Sequence, residues 1–269
     1  MFRKQLLSKQ ANFISVAAVA ASLAFASVAN AGLIDATTQV GGRSQHTLAE
    51  QWWQWVTPIA QSLNPVLDTT GAEGFRGNAA LRGDTGGPFF LAGNSNATPV
   101  TRMVTVPHST LLFFPILSTQ NDNTNGPGLP PTTFSAQELL DGFGGFFEPA
   151  NLALFLEING APVNPANLSA HRQTTSANAP YSNTYTSADS LTSFFGFDPA
   201  ENTGIYPHTV FPVVADGYWA ALDGLAPGSS LKIHFGASTK GGNSATLQDV
   251  TYILQATRYL SRRCCCCSA

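Results

Sequence analysis

Leu231, Ile233 and Phe235 alternate with Lys232 and His234, the period-two pattern of a strand with one buried and one solvated face. The same alternation puts Val250, Tyr252 and Leu254 on one face of residues 249–256. Residues 100–106 and 111–117 read as two strands joined by a tight connection, Pro107-His108-Ser109, with Pro115 marking an edge or a bulge. Residues 89–92 form a short strand ending at Gly93, and 153–158 another that turns at the hairpin dipeptide Asn159-Gly160. Further strands are expected over 209–214 and 217–222, with turns at 224–230 and 241–243.

One segment departs from this period. Leu48, Trp52, Trp55, Val56 and Ile59 recur at helical spacing within 47–63. Thr47 followed by Glu50 fits a capping box, and Pro58 limits the regular helix to 47–57. Ser135 with Glu138 opens a second, short helix over 135–140. Residues 164–202 are loop-rich, with 191–197 expected as a buried element. These elements predict a mostly-β fold, an antiparallel β-sandwich or jelly-roll-like domain with an N-terminal amphipathic helix and helical and loop insertions. A single domain over 32–258 is the simplest organisation, and the sets 89–117 and 209–256 can belong to different sheets.

The chain opens differently. Arg3, Lys4 and Lys9 precede an apolar stretch over 13–28, which ends at Ala29-Asn30-Ala31. Positive start, apolar middle and small-x-small site in that order predict a cleavable export signal over 1–31. The apolar stretch is short and Ala-rich for a span that needs about 20 apolar residues. Beyond it, ten basic residues face 16 acidic ones. That balance offers no basic patch for nucleic acid or an anionic membrane. Charged residues are only 11% of the chain, whereas 18 Phe and the clustered Trp supply core-forming surface that disordered chains lack. All four cysteines are Cys264 to Cys267, so no disulfide joins distant parts of the body. The Arg- and Cys-rich end, 259–269, reads as a disordered tail.

Candidate chemistry is sparse. The sequence has no HExxH, P-loop, Rossmann glycine fingerprint or G-x-S-x-G elbow. Among the histidines, His46, His108, His171, His208 and His234, no two make a local metal motif. His108 adjoins Ser109, and a nucleophilic triad would need Asp216 or Asp249 brought in by folding. Asn121, Asp122, Asn123 and Asn125, followed by Gly126, resemble the first half of a calcium loop, although Asn121 replaces the first Asp and Thr132 the closing Glu. Calcium is therefore the one cofactor the sequence suggests, against the plainer reading of an Asn-rich turn. Trp53, Tyr181, Tyr185 and Trp219 are candidate stacking residues for a glycan or another planar ligand, and each has a packing role as its alternative. Glycoside hydrolysis would need two converging acids, with Glu148, Glu157, Asp216 and Asp223 as the candidates.

Several phrases carry a resemblance together: Gln51-Trp52-Trp53-Gln54-Trp55, Asn64-Pro65 before Asp68-Thr69-Thr70-Gly71, Phe90-Leu91-Ala92-Gly93, Leu112-Phe113-Phe114-Pro115-Ile116-Leu117, and Asp216-Gly217-Tyr218-Trp219 leading to Leu225-Ala226-Pro227-Gly228. Over residues 45–256 the chain resembles a family of exported bacterial proteins of uncharacterised function. The resemblance implies a signal peptide and a β-rich domain, and it transfers no catalytic residue. It also implies body cysteines near Gly74 and Met103, where this chain has Phe75 and Met103. The leading expectation is a non-catalytic exported protein, secreted, periplasmic or at the cell surface, that binds a ligand such as a glycan. The alternatives are a secreted hydrolase acting on a polysaccharide or ester, and a self-associating structural surface protein.

Overall fold

Which segments become strands follows the alternation, and which strands become neighbours does not. The computed structural model describes residues 31–124, 133–200, 203–241 and 244–258. The expected leader up to Asn30, Asn125 of the calcium segment and the 259–269 tail lie outside the described residues. The chain begins with helix α1 (Gln45–Val56), then strands β1 (Phe89–Phe90), β2 (Val100–Val106) and β3 (Leu112–Asp122). Helix α2 (Ala136–Asp141) leads to β4 (Leu152–Ile158) and β5 (Ala161–Pro162), and α3 (Pro165–Ser169) leads to β6 (Arg172–Thr174) and β7 (Tyr181–Tyr185). Helix α4 (Leu191–Phe194) precedes the three long strands β8 (His208–Leu222), β9 (Ser230–Thr239) and β10 (Thr246–Ala256).

Among the described residues the strands form two mixed sheets of five. The first has the order β1-β3-β8-β6, with β7 also on β8, and the second has the order β2-β10-β9-β4-β5. The expected all-antiparallel arrangement is corrected at two places, because β1–β3 and β2–β10 run parallel. The connection after β2 explains one of them. Pro107-His108-Ser109 carries the chain from the second sheet into the first, so β2 takes its partner from the far end of the chain. The two strands expected over 209–222 are one, β8, long enough to pair with β3, β6 and β7.

Alternation then builds the core. Val100, Val104 and Val106 of β2 point inward while Thr101, Met103 and Thr105 face out. They join Ile233 and Phe235 of β9, Val250, Tyr252 and Leu254 of β10, and Phe114, Ile116, Tyr218 and Leu222 of the first sheet in one buried cluster. Phe114 and Phe235 meet across it at 4.6 Å. Proline explains the irregularity in β3: Pro115 has no N–H, and the register with β8 shifts between Pro115 and Leu117. The carbonyls of Pro115 and Ile116 accept hydrogen bonds from Gln248 Nε2, at 3.0 and 2.7 Å. At Asn159-Gly160, φ values of 52° and 80° make the hairpin turn that the dipeptide predicts.

Arg102 occupies an inward position of β2 and is fully buried. It donates to the carbonyls of Asp68, Ala92, Gly93 and Val66 and to the Tyr252 hydroxyl, at 2.7–3.2 Å. These oxygens satisfy a guanidinium that burial would otherwise penalise. At the surface, Phe75 and Met103 are 46% and 69% exposed.

Helix α1 covers the other face of the first sheet. Leu48, Trp52 and Val56 pack with Phe90, Phe113, Trp219 and Ala221. Trp52 Nε1 donates to Leu91 O at 2.9 Å, fixing the helix to the chain after β1. The cap is corrected by three residues: Ser44 accepts from the Thr47 N–H, and Glu50 lies instead beside His46 at 3.3 Å. The helix stops at Val56, ahead of Pro58. The capping box of Ser135 and Glu138 is present at α2. Among the described residues no helix is long and apolar enough to cross a membrane, which leaves strands aside.

Candidate functional site

An α-helix of 12 residues extends about 18 Å, whereas 15 residues of strand extend about 50 Å. Helix α1 therefore covers only part of the face beneath it, and hollows lie along both of its flanks. Its buried stripe is Leu48, Trp52 and Val56. At about 100° per residue, Trp53 and Thr57 turn to one flank and Gln51 and Trp55 to the other.

On the first flank is a cleft of about 450 Å³ between α1, α4 and the end of β3. Trp53 and Thr57 form one wall, Thr119, Gln120, Asn121 and Asp122 the floor, and Leu191, Phe195 and Phe197 the rim. The segment 191–197, expected to be buried, is buried only at Leu191 and Thr192. Phe194, Phe195 and Phe197 are 49%, 51% and 46% exposed. Ser190 caps α4 by accepting from the Ser193 N–H, and Leu191 N donates to Thr57 O, which ties the rim to α1.

A smaller recess of about 200 Å³ shares Trp53, Thr119, Leu191 and Phe195 with the cleft and reaches Gly93 and Asn94. Trp53 Nε1 and Asn94 Oδ1 are both buried and have no hydrogen-bond partner among the described residues.

The other expected stacking residues lie behind this wall. Tyr181 and Tyr185 are buried. Tyr181 donates to Gln120 Oε1 at 3.2 Å, Asn183 Nδ2 donates to the same oxygen at 3.0 Å, and Tyr185 bonds the Thr192 hydroxyl at 2.8 Å. They orient the polar floor and rim. Burial raises both phenols, Tyr185 to about 12, which keeps them neutral donors. Trp219 is fully enclosed and stacked on Phe113 at 5.3 Å, so its ring has no solvent face. Of the four aromatics, Trp53 alone lines the cleft.

The described side chains of the calcium segment have local partners. Asn121 Nδ2 donates to Leu139 O at 2.9 Å. Asn123 exchanges two hydrogen bonds with the Phe134 backbone, at 2.9 and 3.1 Å. Asp122 Oδ1 accepts from the Thr124 N–H and hydroxyl. Burial pushes the Asp122 carboxyl up, and these two bonds from Thr124 pull it back. Among the described residues no three His, Cys, Asp or Glu side chains are grouped to hold a metal ion.

Two of the four candidate acids converge. Glu148 and Asp216 both contact Arg172, at 2.9 and 2.7 Å, beside another hollow of about 450 Å³. Both Asp216 oxygens accept from Arg172, and Oδ1 also accepts from the Thr174 hydroxyl. Glu157 lies instead near His234, at 3.7 Å, on the second sheet. The triad residues are also dispersed: His108 Nδ1 meets Thr257 Oγ1 at 3.1 Å, and Asp249 meets His234 Nε2 at 2.9 Å. Sequence reasoning missed Gln120, Phe195 and Phe197. Their signal was faint: a polar end to an apolar strand, and three phenylalanines within four positions of a loop-rich region.

No protein-family model, curated protein or solved structure matches this chain.

Proposed function

We propose that the chain is an exported, non-catalytic binding protein of the periplasm, cell surface or medium, and that the cleft beside Trp53 takes a neutral sugar ring of a glycan. The two sheets packed over one core are read as a β-sandwich that holds this cleft on its helix-covered side. Export rests on the order of positive, apolar and small residues at positions 1–31.

One observation carries the ligand class: an indole wall and a partly exposed phenylalanine rim converge on a floor of amide, hydroxyl and carboxylate groups. Sugar rings present apolar C–H faces and a girdle of hydroxyls, so they match a site with aromatic walls and polar edges. Among the described residues the lining contains Asp122 and no Lys, Arg or His, which disfavours anions. The hydrolase reading has less support, because the acids that converge are clamped on Arg172 and both Asp216 oxygens are engaged.

The test is calorimetric titration of the full chain with neutral oligosaccharides, covering α- and β-linked glucans, mannans and chito-oligosaccharides. Saturable binding to at least one class is expected, weakened at least tenfold in Trp53→Ala. If the whole panel fails to bind, or Trp53→Ala binds as the parent does, the reading is wrong.

A further inference from the structure

The opposite flank of α1 has the opposite chemistry. A groove of about 760 Å³ there is lined by Arg43, Arg76 and Arg82 with a single acid, Asp84, and by the rings of Trp55 and Phe75. Three of the few basic residues of an otherwise acidic chain therefore share one concavity. We propose that this groove is a second binding site, for a carboxylate-bearing sugar ring such as a uronic acid residue.

The charges are not balanced within the groove. Asp84 accepts from Arg43 through both oxygens and also lies 3.3 Å from Arg82 Nη2, so one carboxylate serves two cations. Arg76 uses Nε for Glu73 at 2.6 Å and rests 5.1 Å from the centre of the Phe75 ring, and its two terminal nitrogens have no hydrogen-bond acceptor among the described residues. Three guanidiniums against Asp84 and Glu73 leave a positive surplus on a chain of formal charge −3. The cations are held in place before any ligand arrives. Arg82 lies 3.6 Å from the centre of the Phe90 ring and donates to the Gly77 and Pro88 carbonyls. Gly77 makes this possible, since a Cβ there would fall 1.8 Å from Phe90 O. Burial draws the Arg82 guanidinium down to about 10, Asp84 opposes that and the Arg43 charge adds to it. A second anion would relieve this shortage of negative charge.

The rings narrow the anion's class. Phe75 is 46% exposed and Trp55 is partly exposed beside it. A planar guanidinium fork matches a carboxylate bidentately, and an aromatic face accepts the C–H face of a sugar. Inorganic phosphate would use the arginines and ignore the rings.

This site is independent of the neutral-sugar cleft, and the experiment keeps them apart. The full chain is titrated with oligogalacturonate, the matching neutral oligogalactoside and inorganic phosphate, at low salt and at about 1 M NaCl, where screening shortens to ~3 Å. Oligogalacturonate is expected to bind saturably and to weaken at least tenfold in high salt. Arg76→Gln, at a half-buried side chain, and Phe75→Ser, at an exposed one, are each expected to weaken it at least fivefold with unchanged thermal midpoints. Trp53→Ala is expected to bind it as the parent does. Equal binding of the neutral oligomer, binding of phosphate but not of oligogalacturonate, or undiminished binding in both groove variants would overturn the proposal.

Discussion

The first sheet presents the same two strands, β3 and β8, to two different covers, and the contrast between its faces locates the candidate site. Its inner face, with Phe114, Ile116, Tyr218 and Leu222, meets a second sheet whose long strands β9 and β10, of 10 and 11 residues, nearly match the 11 of β3. Its outer face, with Phe113, Trp219 and Ala221, meets the 12-residue α1. Matching lengths seal the inner interface along the strands. A short helix on long strands leaves flanks, and there the ends of β3 and the loops around it bring polar groups beside aromatic rings. The difference teaches that a binding surface can arise from mismatched element lengths without any special motif.

Substitution of one large residue on each face breaks the comparison most strongly. Phe114→Ala and Trp219→Ala are each expected to cost about 3–5 kcal/mol in urea unfolding, since both remove fully buried rings. Only Trp219→Ala is expected also to weaken sugar binding, because Trp52 rests on Trp219 at 5.5 Å and carries α1 with it. Equal loss of binding in both variants would mean that the faces are not separable.

A smaller effect comes from the helix cap. Ser44→Ala removes the acceptor for the Thr47 N–H at 3.1 Å and is expected to cost about 1 kcal/mol in the same assay. Thr47→Val is the contrast: Thr47 supplies a backbone N–H to the cap, and its side chain is not the cap, so most of the stability should remain. A larger loss in Thr47→Val would restore the capping box that the sequence suggests.

The smallest expected effect is a pH dependence at the cleft floor. Because burial raises the Asp122 carboxyl, the folded state holds a proton there that the unfolded state has released. This group's contribution is therefore greatest at acid pH and declines as pH rises from the ordinary carboxylate value through the raised one. Asp122→Asn is expected to flatten that part of the stability–pH profile, measured by thermal unfolding from about pH 3 to pH 7, bracketing the ordinary Asp value near 3.9. A decline of the same size in the variant would place its origin elsewhere.

How much of this was legible in the sequence depends on where the signal resides. Alternation identified β9 and β10, because each has a run of apolar residues facing one side. It missed β7, whose inward residues are Tyr181, Asn183 and Tyr185: the buried Asn183 interrupts the apolar period. Strand partners were hidden because the pairing of Val100 with Val250 depends on how the chain crosses between sheets. The cap was misplaced because Ser44 and Thr47 are both good capping residues, and backbone geometry decides between them. The Asp122 segment was noticed for its oxygen-bearing side chains, yet its importance in the fold comes from β3, which carries it to the cleft floor.

The central claim is that Trp53 faces a ligand while its neighbours serve the fold. The most direct measurement records the four indole N–H resonances of the ¹⁵N-labelled full chain during titration with the best-binding neutral oligosaccharide, Trp53 being assigned by Trp53→Phe. The account predicts that the Trp53 indole resonance moves saturably as the sugar packs against its ring, while Trp219 stays in place. A Trp53 resonance that stays fixed while the sugar binds would contradict it.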